Sequence, residues 1–491
     1  MQPGLSGRLA SLDLIRGTAV LGILAINIAG FAGPAGSTLS PHLPSPGTLA
    51  DEIAFALGFI IFEGKMRALF SLLFGASMAL FLNRAEEAGR NGEMMQLRRL
   101  GWLMLFGALH FFLFWWGDIL FIYAVAGILA LMLRELRPKT HIAIALVIFA
   151  GWHLTGIVTS YADVRAEEHV RLGIASADER REHTQFLQGI TRQAQRDMAE
   201  QRMAFGDQVA AKLKERPFWP VQMTFLSMGE VLPLMLLGMA LYRTGFFTGG
   251  WPRRRLIWIA AESTAAGLAP TLAALAWIWP RHFPLQAMTA ALMYWMALPH
   301  LLMALGYCAI GVLAAPRLAA TALGRRLIAA GRMAFSNYLG TSVVMTAIFY
   351  GWGLGLAGTM GHAAQWLFVM LGWILMLGWS QPWLSRFRQG PLEWIWRRLS
   401  ACNARPYIFS CYCDPFAPYC NCDSRGPKMY VCICNAIRET DLRYEGRTCS
   451  RAAEEIYIAL GRPPQCGQCL EEAEQILHEE RTASSAKKLA A

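Results

Sequence analysis

Charge is scarce in this 491-residue chain. Asp, Glu, Lys and Arg make up 16% of it, against the roughly 25% usual for soluble domains. Cysteine is missing from most of it too: Cys308 stands alone before residue 402, and the other ten of the 11 cysteines fall between Cys402 and Cys469. The first shortage argues against a water-soluble globular fold, the second against a disulfide scaffold running through the chain. A cleavable leader is also wanting. The first apolar run, Thr18–Phe31, follows Arg16-Gly17 without a small-residue cleavage signal and reads as an uncleaved first span. What is abundant is apolar residue: 55% of the chain is hydrophobic, with 26 Phe and 17 Trp.

A membrane helix needs roughly 20 mainly apolar residues. Ten stretches meet that, near 14–33, 60–83, 99–116, 118–134, 140–160, 220–242, 255–278, 286–314, 333–352 and 363–381. The second is preceded by the apolar piece Ile53–Phe62 and interrupted by Glu63-Gly64-Lys65, a broken or re-entrant entry. Pro299 marks the eighth for a kink. Lys and Arg distribution orients the layout. The loops 84–100, 134–139, 243–255, 315–332 and 382–400 hold 19 of them; the short loops on the other side, 34–50, 117–118, 279–285 and 353–362, hold one, Arg281. By the positive-inside rule both termini are cytoplasmic. The net charge of +11 thus belongs to a membrane surface, and a nucleic-acid partner is not expected. The long loop 161–217, with ten basic and ten acidic residues and no cysteine, reads as amphipathic helices on the outside. The expected fold class is an all-α polytopic membrane protein of about 10 transmembrane helices in a bacterial inner membrane, in contact with the lipid bilayer, followed by a small α-helical C-terminal domain in the cytoplasm.

Three segments divide the chain: a transmembrane domain at 1–400, an irregular Cys-rich linker at 401–428, and a compact domain at 429–491. The first ends in Gly390–Leu399, a short interfacial helix with tryptophans for lipid and Arg397 and Arg398 for headgroups. The linker has no helix or strand period and contains Cys402, Cys411, Cys413, Cys420 and Cys422. It has the look of translated spacer, which makes a read-through or gene-model fusion of two independent halves one reading of the chain.

From Met429 the sequence runs MYVCICNAIRETDLR and later ALGRPPQCGQCLEEAEQIL. Cys432, Cys434, Cys466 and Cys469 give C-x-C, a gap of 31 residues, then C-x-x-C. In a reducing cytosol such paired thiols read as metal ligands. Spacing alone leaves an iron–sulfur cluster, a zinc site and unliganded cysteines open, with the C-x-C half counting against zinc. Ser450 reads as an N-cap, Ala452–Leu460 as a helix, Gly461 as its stop, and Leu470–Glu480 as a second helix whose N-terminus favours an anionic group. Cys449 falls outside the pattern as a bystander thiol. The MYVCICN opening, the gap and the PQCGxC close resemble bacterioferritin-associated ferredoxin over nearly the length of that small family. The resemblance implies that these four cysteines ligate a 2Fe–2S cluster, that an electron donor reductase supplies it, and that bacterioferritin is the docking partner, receiving an electron so that stored iron leaves as ferrous ion. Here Met429 is internal, whereas family members are free-standing.

Further up the chain, RLASLDLIRGTAVLGILAIN at the start, FEGKMRALFSLLFG at 62–75, WWGDILFIYAVAGILAL at 115–131 and GPLEWIWRRL at the close resemble the YeiB-type family of uncharacterised bacterial membrane proteins. The SLDLIRG piece is also similar to transmembrane acyltransferases. Ionisable residues within spans are expensive and often functional; here they are Asp13, Arg16, Glu63, Lys65, Arg67, His110, Asp118 and Glu230. Read functionally, His110, Asp118 and Glu230 are the catalytic candidates in one outward-opening pocket, with His110 as general base, about 12 Å from Asp118 at 1.5 Å per helical residue, and the Glu63–Arg67 region binding an anion. Read structurally, Asp13 and Arg16 form an i, i+3 ion pair, Lys65 and Arg67 snorkel, and His110 is a hydrogen-bonded core histidine. Three classes stay open for the whole: an electron-transfer module on a membrane protein of unknown activity, a membrane acyltransferase, and a transporter or binding scaffold.

Overall fold

The computed structural model describes residues 9–401 and, after them, 430–432, 437–439, 442–443, 445, 451–459, 463–464 and 469–489. The chain divides into two compact units, Met1–Asn403 and Ala404–Ala491. The first is a helical membrane protein. Six segments are long and apolar enough to cross a bilayer: Ala10–Ala32, Pro138–Leu172, Trp219–Arg243, Arg253–Arg281, Ala297–Leu318 and His362–Arg386. Their outer faces fit that reading. Helix Pro138–Leu172 exposes Val147, Leu154 and Val158 at 60–74%, a stripe that water would penalise and lipid tails accept.

In chain order the elements are α1 (Ala10–Ala32), α2 (Leu49–Ile61), α3 (Lys65–Glu87), α4 (Gly92–Leu113), α5 (Leu120–Met132), α6 (Pro138–Leu172), α7 (Ala177–Gln201) and α8 (Phe205–Glu215). They continue as α9 (Trp219–Arg243), α10 (Arg253–Ile278), α11 (Leu285–Ala290), α12 (Ala297–Leu318), α13 (Ala322–Arg332), α14 (Ala334–Phe349), α15 (His362–Arg386) and α16 (Pro391–Ala401). The centre of the unit is α1, whose Leu14, Ile15, Val20, Leu24 and Phe31 are buried among α3, α12, α13, α14 and α15. Its small residues permit that crowding. The α3–α9 crossing is closer still. A Cβ on Gly75 would lie 2.0 Å from the Met235 carbonyl oxygen, and one on Gly238 would lie 1.9 Å from that of Leu72, so the two backbones touch through reciprocal glycines.

Two irregularities set the site. Between α2 and α3 the chain breaks at Phe62-Glu63-Gly64; Gly64 takes a φ of 70°, which glycine adopts without penalty. The π-turn Ala291–Trp295 precedes α12. Pro299 sits in the first turn of α12, where its missing N–H leaves no ladder bond unmade.

The long polar segment is anchored. α7 opens with a Ser176/Glu179 capping box. Asp197 accepts the Ala35 N–H at 3.1 Å and pairs with Arg216 at 3.1 Å, and Gln201 donates to the Gly33 carbonyl at 2.8 Å.

In the second unit, strand Tyr430–Cys432 pairs antiparallel with Ile437–Arg438. Helices Ala453–Ala459 and Leu470–Leu489 follow. Val431, Ile437, Ala453, Ile456, Tyr457 and Leu477 are among its core residues. The expected small α-helical domain therefore also carries a strand pair: the β-branched Val431 packs inward in a run too short and too alternating for a helix. Its second helix runs past Glu480 to Leu489. The linker after residue 401, and Cys434, Cys449, Ser450, Gly461 and Cys466, lie outside the described residues.

Candidate functional site

Helix α4 ends at Leu113, and the chain reverses through residues 114–119 before α5 begins. That reversal carries Asp118 back onto His110. Asp118 Oδ1 lies 2.8 Å from His110 Nδ1, not the 12 Å of a continuous helix. Asp118 Oδ2 accepts the Phe121 N–H at 2.8 Å, which fixes the carboxylate. The two side chains are 0% and 3% exposed. His110 Nε2 is buried with no hydrogen-bond partner. One nitrogen is thus held by a carboxylate and the other is unpartnered, the arrangement of an oriented general base. The Tyr338 ring lies 5.2 Å from the His110 ring, and its hydroxyl sits 3.4 Å from both the Ile119 N–H and the Gly117 carbonyl.

Glu230 belongs to a second cluster. It pairs with Arg67 at 3.2 Å. The Arg67 carbonyl receives hydrogen bonds from Ser71 at 3.0 Å and Tyr123 at 3.3 Å. Lys65 is 0% exposed, with Nζ donating to the Phe59 carbonyl at 2.6 Å, and Gly64 packs so tightly on His300 that a Cβ would overlap its ring. Lys65 therefore does not snorkel; the α2–α3 break turns its ammonium inward onto a free helix-end carbonyl. Asp13 and Arg16 form the expected pair at 2.8 Å.

A cavity of about 340 Å³ lies elsewhere than expected. Neither Glu63, Lys65 nor Arg67 lines it. It is walled by the start of α1, the second half of α3, the start of α4, the α13–α14 junction and α16, and it carries Arg16, Arg84, Arg99, Arg332, Arg388 and Arg397. These come from the basic end of the unit. In place of the single outward-opening pocket of the sequence reading, His110 with Asp118 and Arg67 with Glu230 form two separate buried pairs, while Asp13 and Arg16 line the cavity at the basic end. Tyr338 and Tyr123 line the cavity, each tied to one of those clusters. Gln96, Arg99 and Leu103 share one face of α4 at spacings of three and four, a signal present in the sequence but not read there. Nothing in the sequence pointed to Tyr338, Tyr123 or Lys212.

Lys212, from α8, reaches the end of α4 from outside the spans. Its Nζ reaches the carbonyls of Phe111 and Phe114 at 3.4 and 3.2 Å, and burial pushes its pKa down to about 8 despite the opposing pull of Glu200. Glu393 of α16 accepts from the N–H groups of Phe335 and Ser336 at 2.9 and 3.1 Å and from the Ser336 hydroxyl at 2.5 Å. Burial raises its pKa above the usual carboxylate range.

Two sets of donors bear on metals. His42, Glu52 and His282 bring ligand atoms within 4.8 Å of one another. His42 Nδ1, however, accepts the Gly47 N–H at 3.1 Å, which leaves its proton on Nε2, the atom 3.1 Å from Glu52. A protonated Nε2 beside the Glu52 carboxylate is an ion-pair contact and offers no lone pair to a metal. In the second unit Cys432 ends the first strand and Cys469 immediately precedes helix Leu470–Leu489, with the Tyr457 hydroxyl 3.6 Å from its Sγ. Val431 and Cys469 border the same core.

A family model described as a protein of unknown function (DUF418) matches residues 241–403. The uncharacterized protein YxaH of Bacillus subtilis is 29% identical over 416 residues, 83% of this chain and 98% of that protein. The uncharacterized protein YeiB of Escherichia coli is 29% identical over 407 residues, 82% of this chain and 98% of that protein. An uncharacterized 39.9 kDa protein of Bacillus acidopullulyticus is 34% identical over 138 residues, 28% of this chain and 37% of its own length. No solved structure matches. Over most of its length, then, this multi-pass helical membrane protein is similar to uncharacterised bacterial proteins of the YeiB and YxaH kind.

Proposed function

We propose that the chain is a ten-span inner-membrane protein, both termini cytoplasmic, that carries a 2Fe–2S electron-transfer module. Ten helices or helix pairs lie near the ten apolar stretches, and the 19-to-one split of basic residues between loops supports the orientation. The observation that carries the module is Cys469 packed against the small core that also holds Val431, the residue next in the chain to Cys432. Four thiolates suit a cluster of this kind, Cys432, Cys434, Cys466 and Cys469 would hold it, and the bound cluster would supply a one-electron couple. Tyr457 places a hydroxyl against the Cys469 sulfur, a favourable contact for a thiolate ligand. Bacterioferritin is the acceptor and a reductase the donor on this reading. The test is the full chain purified from its own membranes. A visible absorption spectrum and a rhombic EPR signal on reduction support the module. Bound zinc with no such signal defeats it.

The membrane unit has its own reading, acyl transfer with His110 as general base. It is carried by the buried, unpartnered Nε2 opposite a carboxylate-held Nδ1. Nε2 takes the proton of an acceptor hydroxyl as its oxygen bonds to the acyl carbon, and returns it to the departing group; Asp118 holds the ring and offsets the imidazolium charge. Loss of acyl transfer in His110→Ala, with the fold retained, supports this. Uptake by vesicles that depends on Arg67 and Glu230 and not on His110 favours a transporter instead.

A further inference from the structure

A second, smaller cavity lies at the break between α2 and α3. Its volume is about 50 Å³, room for a few water molecules at roughly 10–15 Å³ each. Apolar side chains of α1 and α2 make most of its wall, and Thr38, Glu63, His362 and Gln365 supply its polar groups. The donors among these are engaged. The Thr38 hydroxyl donates to the Ala35 carbonyl at 2.8 Å, His362 Nε2 lies 3.0 Å from the Ser37 carbonyl, and Gln365 Nε2 donates to the Met360 carbonyl at 3.4 Å. Gln365 Oε1, in a residue 3% exposed, is buried without a partner, and Glu63 brings a carboxylate. A space lined by acceptors takes groups that donate, and water and its protonated form fit this volume.

Behind Glu63 stands a balanced set of charges. Lys65, Arg67 and Glu230 are the charged side chains that act on it, two bases against two acids. Both bases are held elsewhere, Arg67 by Glu230 at 3.2 Å and Lys65 by the Phe59 carbonyl at 2.6 Å. Among the described residues Glu63 is thus the acid of the set with no ion-pair partner of its own. His153 is within electrostatic reach of Arg67 and Glu230. Its Nδ1 donates to the Phe149 carbonyl at 2.8 Å, which leaves the buried Nε2 a bare lone pair. His300 packs on Gly64, is within reach of Lys65, Arg67 and His153, and has its Nε2 buried and unpartnered as well. Tyr123 of α5 faces the Arg67–Glu230 pair. Carboxyl and imidazole groups gathered inside a membrane protein are the material of proton relays.

From the cavity and the cluster together we infer that Glu63 is a proton-binding site filled from the small cavity. Its carboxylate takes a proton from hydronium there and releases water; Arg67 then answers to Glu230 alone. A hard metal cation wants about six oxygens, more than this wall offers beside two side-chain cations, whereas a proton needs one. The inference rests on the transporter reading for its role, and names the proton as the ion that such a transporter couples to.

The experiment is infrared difference spectroscopy on the full chain in lipid nanodiscs as the pH is lowered from alkaline to mildly acidic. The expected result is a protonated-carboxyl band that grows with acidity, shifts in deuterium oxide, is absent from Glu63→Gln and is retained by Glu63→Asp. The acids Glu167, Glu200 and Glu393, outside the cluster, cancel in the wild-type-minus-variant spectrum. Gly58→Leu puts a side chain into the cavity, where the nearest atom to a Cβ is 3.9 Å away on Trp366, and should slow the deuterium shift of the band about tenfold. Replacing choline by sodium in the buffer should leave the band unchanged. Absence of any carboxyl band that Glu63→Gln removes, a deuterium shift as fast in Gly58→Leu as in the wild type, or a band displaced by sodium would overturn the proposal. Vesicle uptake measured alongside separates it from the reading it rests on. Uptake without the band keeps the transporter and overturns the proton site; the band without uptake keeps the proton site and removes the transporter.

Discussion

Arg67 and Glu230 face each other at 3.2 Å, and His110 and Asp118 at 2.8 Å, in the same helical unit. In the first pair the charges offset one another, and the surrounding groups (Ser71 and Tyr123 on the Arg67 carbonyl) bind the backbone that presents them. The second pair is more deeply buried, its side chains 0% and 3% exposed against 31% and 15% for Arg67 and Glu230, and it is incomplete, because His110 Nε2 faces no acceptor or donor. A buried ion pair with both partners engaged is a specification of packing, strongly destabilising only when one partner is taken away. A buried imidazole with one nitrogen fixed and one vacant is a group kept ready. Deeper burial and a carboxylate-held ring with an unfilled Nε2 together set the His110–Asp118 pair apart.

The comparison breaks most visibly in activity. On the acyl-transfer reading, His110→Gln, which keeps a donor for Asp118, should lower activity about 10²–10⁴-fold, the usual weight of a general base, with a smaller loss of melting temperature in detergent than His110→Ala, which leaves the buried Asp118 unpaired; assay of both on one preparation checks it. Glu230→Ala should do the reverse, destabilising by about 3–5 kcal/mol as Arg67 is left buried and unpaired, measurable as a loss of folded protein in thermal melts. Lys212 offers a subtler probe. Its folded pKa of about 8 lies below the 10.5 of the free side chain. Between those values the unfolded chain holds the proton that the folded one has shed, so stability increases with pH across that window, by on the order of 2 kcal/mol. Lys212→Met should remove that rise, and melting curves at pH 7.5 and 9.5 would show whether it does. The smallest effect is expected of Tyr338→Phe. Its hydroxyl contacts are long, 3.4 Å each, so the loss should be about 0.5–1 kcal/mol, and a larger one would mean that Tyr338 holds the His110 ring in place.

Much of the helical layout is legible as apolar runs and basic loops, because lipid imposes length and sidedness on a sequence more directly than water does. The break at Glu63-Gly64-Lys65 could be read from a charge pair around a glycine. The His110–Asp118 contact could not, since counting residues along a helix places the two apart, and only the reversal at 114–119 brings them together. The cavity was hidden for a different reason. Arg84, Arg99, Arg332, Arg388 and Arg397 each sit in a basic loop that the sidedness of the protein already explains, so no single segment betrays their convergence. The cysteine spacing after Met429 carried a chemical expectation that rests on residues partly outside the described set.

The reciprocal glycines of the α3–α9 crossing have a consequence for inheritance. Gly75 meets the backbone one turn from where Gly238 meets it in return. A methyl group at either position pushes the same two helices apart, and once they are apart the other glycine no longer serves. The two codons, 163 positions from each other in the chain, therefore behave as one locus. A pairwise substitution scan would find each intolerant alone, and would find the second nearly silent once the first had been changed.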